Sequence, residues 1–184
     1  MAMTRVFTGA NGTLTLGRNA TEPEGADADA ILNTYETNTV GRVSGVTVRV
    51  DTQLEEFHEI GRRHAASLHP GNIHISGTVG RAYVNGALLM LLMGRGGLLA
   101  QVAEPYVQPA FNMQLALEDP AVPGTNATVI LFGVHFQSWS YDMPEDEFVM
   151  EDLAFKALTI SVVDAEAPAG GGDAVEKTPQ FEEA

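Results

Sequence analysis

The chain has 184 residues, with 24 acidic against 10 basic side chains, five histidines and a net charge of −14. It has no cysteine, which excludes disulfides, thiolate catalysis and Cys-based zinc sites and fits folding in a reducing cytoplasm. Affinity for phosphates comes from Lys and Arg displacing counterions, so a body this acidic repels nucleic acid rather than gripping it.

The first residues, "MAMTRVFTGANG", lack a basic-then-apolar leader, so export by that route is not expected. After the turn signal Asn11-Gly12, residues 13–16 alternate as a short strand. "RNATEPEGADADAILN" at 18–33 gathers acids, a proline and glycine, and reads as a long exposed loop. "VSGVTVRVD" at 43–51 puts Val46, Val48 and Val50 on one face, and Thr47, Arg49 and Asp51 on the other. "NIHISGTV" at 72–79 repeats the pattern, with Ile73, Ile75 and Val79 opposite Asn72, His74, Ser76 and Thr78. A period of two marks half-buried antiparallel strands.

A helix is expected over 85–93, with Asn85 as N-cap and Gly94 as its stop. Alanine, leucine and methionine favour helix, and no residue of the run is β-branched. The helix has no polar face, so it must be covered on more than one side. A sheet supplies one cover; a loop of the same chain or another subunit supplies the other. Leu88, Leu89, Leu92 and Met93 are the candidates for a subunit interface.

Further strands are expected at 111–117, 126–142 and 153–163. In the last, the apolar face runs through Leu153, Phe155 and Ala157, then shifts to Leu158, Ile160 and Val162, which implies a bulge near Ala157-Leu158. Residues 164–184, rich in Gly, Ala, Pro and acid, read as a disordered tail. The fold class is mainly β: an antiparallel sandwich or barrel with one short flanking helix, a long loop arm and that tail.

No catalytic constellation emerges. His58, His64, His69, His74 and His135 fit no metal-ligand spacing. "GRGG" at 94–97 lacks the lysine and hydroxyl of a phosphate loop, and the acids of "MPEDEFVMED" at 143–152 read as a solvated turn. No run of ~20 apolar residues is long enough for a membrane span, since "GRGG" interrupts the greasiest region. No enzyme, cofactor or metal is expected.

The order of parts resembles the tail tube proteins of tailed phages and archaeal viruses. It also resembles their relatives in contractile injection systems and the haemolysin-coregulated protein of type VI secretion. The likeness is carried by "RVSGVTVRVDTQLEEFHEIGRR" at 42–63, "GNIHISGTVGRAYVNGALLMLLMG" at 71–94 and "PEDEFVMEDLAFKALTISVVD" at 144–164. It implies a small β-sandwich or barrel with a helix, assembled as hexameric rings stacked into a tube that conducts viral DNA to the host cell. The resemblance places the protein in the virion tail after synthesis in the host cytoplasm, among copies of itself and other tail proteins. Viral DNA would be a cargo that an acidic channel repels without binding.

On that reading the channel-facing residues are Thr47, Arg49, Asp51, Asn72, His74, Ser76 and Thr78. Glu55, Glu56 and Glu59 would add negative potential, Arg49 would pair with an acid on an adjacent strand, and the loop at 18–35 would bridge adjacent rings. Two other readings stay open: a different virion component, such as a tail terminator or capsid cementing protein, and a small-ligand-binding β-barrel.

Overall fold

The computed structural model describes residues 7–19, 24–97, 107–122, 124–166 and 175–176. The elements are β1 (Gly12–Arg18), α1 (Gly25–Tyr35), β2 (Val43–Phe57), β3 (Ser67–Ala82), α2 (Ala87–Met93), β4 (Phe111–Glu118), β5 (Asn126–Asp142), β6 (Met150–Ala157), β7 (Thr159–Glu166) and β8 (Val175–Glu176). All strand pairs are antiparallel. The main path runs β1-β4-β5-β6-β3-β2, with β7 and β8 added off β5.

β5 is the spine of the sheet. Its first half pairs with β4 on one edge and β7 on the other, and its second half pairs with β6. The sheet therefore has two leaves: β1-β4-β5-β7-β8 and β5-β6-β3-β2. They curl toward each other because the strands bend at one level. Gly133 adopts φ +60°, a conformation glycine takes without strain, and the Leu158 side chain lies against it where a Cβ would stand. The Leu158 N–H donates to the Phe132 carbonyl at 3.0 Å, holding β6 and β7 to the bend as one kinked strand. The phase change read at Ala157-Leu158 is this kink, and it hands the chain from one leaf to the other.

Both helices pack on the inner face of the curl. Leu14, Leu16, Phe111, Met113, Leu131, Val134, Phe136, Leu153 and Phe155 meet Ala28 and Leu32 of α1 and Leu88 and Leu91 of α2 in one buried cluster. Phe111 and Phe136 stack at 4.9 Å between ring centres. Full burial of each large side chain contributes ~1.5–3 kcal/mol, so this cluster dominates the stability of the subunit.

α1 corrects the reading of 18–33 as a loop, because residues 25–35 are helical. Alternate alanines favour helix, Asp27 sits in the first turn where the macrodipole favours an acid, and Ala28 and Leu32 share the buried face. Arg95, just beyond α2, grips Asp27 with two hydrogen bonds of 2.9 Å, and this bonding raises the arginine's pKa above its ordinary value. Segment 38–40 then lies along the outer edge of β1, with Leu16 N–H bonded to Asn38 O and Val40 N–H to Leu14 O. At the C-terminal end the ordered strand runs to Glu166, and β8 pairs with it. The remainder of the expected 164–184 tail lies outside the described residues.

Candidate functional site

The outer face of the second leaf is polar. In register, Thr47 faces Thr78, Arg49 faces Ser76, and Asp51 faces His74. Across β3 the rows continue to β6 and β5: Thr78 to Ala154 to Ser138, and Ser76 to Lys156 to His135. Six of the seven candidates, Thr47, Arg49, Asp51, His74, Ser76 and Thr78, therefore share one surface. Asn72 lies at the bulge where β3 slips one residue against Gln53, and is exposed there. Arg49 does pair with an acid, but on its own strand: its Nε lies 2.8 Å from Asp51 Oδ2. With Lys156, Asp142 and Asp152 the face carries both signs and sits close to charge balance. Part of the acidic surplus lies elsewhere, on Glu145, Asp146 and Glu147 of the β5–β6 loop.

This leaf has two open edges. β2 ends the strand order, and no described strand pairs with its outer side. β4 covers β5 only as far as Val134, so no described strand pairs with that side of β5 over 135–142. There the Gln108 side-chain amide donates to the Phe136 carbonyl. Exposed edges of this length template pairing with another chain.

The β2–β3 hairpin then leaves the body. No residue from 49 to 74 belongs to the buried cluster, and residues 51–57 alone reach about 23 Å at ~3.3 Å per residue. Its apolar side chains Val50, Leu54, Phe57, Ile60, Leu68 and Ile73 are all exposed. Leu54 and Leu68 lie on one face of the ribbon and Phe57 on the other, so both faces expose apolar side chains, a mark of contact with another chain.

α2 is covered by β5 on one side and α1 on the other, so the second cover is the chain's own helix. Leu88 is 1% exposed within the core, which removes it as an interface residue. Leu89, Leu92 and Met93 are half-buried and keep some outward surface. The helix starts at Ala87 with Gly86 at the N-cap position, one residue after the expected Asn85. Asn85 still serves the end of the helix, because its Oδ1 accepts the Ala87 N–H at 3.2 Å.

A buried polar network sets that geometry and gave no local sequence signal. Arg81, near the end of β3, is ion-paired with Glu151 of β6, the two side chains being 1% and 0% exposed. Glu151 also accepts the Trp139 indole N–H at 2.8 Å, and Arg81 donates to the Asn85 carbonyl at 3.2 Å. Three strands and the start of α2 are tied at one point, which is why the strand runs directly into the helix. Only an apolar face carrying one arginine and one glutamate in register could have revealed it.

A cavity of about 630 Å³ lies between the start of β1, segment 39–46 and the end of β4, lined by Leu14, Val40, Val43, Val46 and Leu117 with Arg42 as its one ionisable residue. Among the described residues no group of acids and histidines could hold a metal ion, and no helix is long and apolar enough to cross a membrane.

No protein-family model matches the sequence, and no curated protein matches it. Solved structures do. The chain is similar to the sheath/tube terminator of the extracellular contractile injection system PVC, in its extended state, with a TM-score of 0.58 at 9% identity over 88% of this chain and 99% of that one. It is similar to the tube-terminating cap of the anti-feeding prophage, with a TM-score of 0.58 at 10% identity over 90% and 95%. It is also similar to the SPP1 tail tube, with a TM-score of 0.56 at 10% identity over 85% and 78%. The kinked spine, the two-leaved antiparallel sheet and the helices in its curl are thus the fold of the tail-tube and injection-system tube proteins.

Proposed function

We propose that this chain is a structural subunit of a phage tail or contractile injection system, closing into rings that stack as a tube, and not an enzyme. The observation that carries the reading is the second leaf: four strands wide, polar on its outer face and with no described strand paired at either edge. Pairing β2 of one copy with the second half of β5 of the next satisfies both edges and closes the leaf into a barrel without ends. The polar face then lines the channel, with Thr47, Arg49, Asp51, His74, Ser76 and Thr78 on the wall. A wall of hydroxyls and paired charges gives a polyanion no fixed grip, and the acidic body repels it further, so viral DNA slides through. The β2–β3 hairpin, not the 18–35 segment, is the part that reaches an adjacent ring.

Electron microscopy of the purified chain tests this. Six-fold rings and tubes with an open lumen are expected; closed trimers, pentamers or a persistent monomer would overturn it. A second reading, a terminating ring, is favoured by the likeness to a tube terminator over 99% of its length. Single rings that never stack would select it.

A further inference from the structure

Four of the five histidines lie on the β2–β3 hairpin: His58, His64, His69 and His74, all exposed. Each has a charged or polar neighbour on the ribbon itself. His58 bonds Glu56 at 3.1 Å, and His69 bonds Ser67 at 3.0 Å and stands opposite Glu55. His74 stands opposite Asp51, which is already held by Arg49. His64 lies in the turn with Arg63 and with Arg62, which is paired to Glu59. The strand next to the base of β3 adds one cation, Lys156 opposite Ser76. Beyond Ile75 β3 has no partner but β2, so no other described strand supplies a charge to these rings.

Residues 49–74 hold four acids, three arginines and four histidines, while the rest of the chain holds twenty acids and seven basic residues. With neutral histidines the hairpin is weakly negative, like the body. With protonated histidines it is clearly positive, and the body stays acidic. Histidine is the side chain that ordinarily makes this change between pH 5 and 8.

We propose that the hairpin is a histidine-gated contact with a second copy of this chain: acidification reverses its sign and turns repulsion from the acidic body of the next copy into attraction. The exposed apolar ribbon supplies the contact area, and the histidines decide when it is used. The inference rests on the tube reading and adds its regulation. A contact that favours the charged imidazole strengthens as pH falls and weakens as it rises. Carboxyl groups ordinarily titrate near pH ~4, so from pH 8 to 5.5 histidine is the side chain that ordinarily changes charge.

The test uses the full chain at low salt, with sedimentation and electron microscopy from pH 8 to 5.5. The critical concentration for stacking should fall about tenfold or more on acidification, and ~0.5 M salt should remove the difference. The H58Q/H64Q/H69Q/H74Q variant should still form rings but stack equally at both pH values. Stacking insensitive to pH, or a pH response that survives in the fourfold variant, overturns the gate while leaving the rings standing. Absence of rings at every pH removes the tube reading and the gate together.

Discussion

Replacing Arg81 by methionine keeps the length of the side chain but removes the cation paired with Glu151. The carboxylate is fully buried and would keep one partner, the indole N–H of Trp139. Breaking a buried ion pair from one side costs ~3–5 kcal/mol because a charge is left without its counterpart. That is a large share of the ~5–15 kcal/mol that holds a typical domain together. At roughly 2–4 °C per kcal/mol for a chain of this size, the melting temperature should fall by about 6–20 °C. Trp139 is the sole tryptophan and bonds the glutamate directly, so its emission follows the unfolding of this site without a label. The double variant R81M/E151L removes both charges and should recover most of the loss, leaving the indole N–H and the Asn85 carbonyl as its residual cost. A drop under about 3 °C for the single variant, or a double variant no better than the single, would refute the claim that the pair is electrostatically closed.

Leu91→Ala should destabilise the subunit by ~2–5 kcal/mol in urea titration, because Leu91 is fully buried between the sheet and α1. Leu92→Glu, at a half-buried position, should leave a folded subunit by circular dichroism while weakening assembly in sedimentation. Gly77→Ala would place a Cβ 2.0 Å from the Thr47 carbonyl oxygen and 2.5 Å from the Phe155 ring, so it should yield insoluble protein in a fractionation assay. Val50→Glu with Ile73→Glu should shift stability by no more than about 0.5 kcal/mol, since both sites are exposed, yet abolish stacking in micrographs.

Much of the strand content was legible because alternation is a local property. Residues 126–142 and the break at Ala157-Leu158 announce themselves by which side chains share a face, and the structure places β5 and the kink there. α1 was hidden by its composition: the acids and glycine of 18–29 suggest a loop, and its buried stripe is made largely of alanine, which carries little hydrophobic signal. The polar face proposed as the wall could be read from the same alternation, and six of its residues fall on one surface. The mistaken inference was that Leu88 waits for another subunit, because the cover for α2 comes from a segment far away in sequence. The Arg81–Glu151 pair spans seventy residues, and a single sequence offers no means of joining them.

The hairpin's isolation from the core separates two kinds of selection. Substitutions at residues 51–74 leave the buried cluster untouched, so on the proposed assembly natural variation can retune how copies grip one another without endangering each copy's own integrity. Exchanging this ribbon between distant relatives should accordingly transplant assembly preference as a portable module.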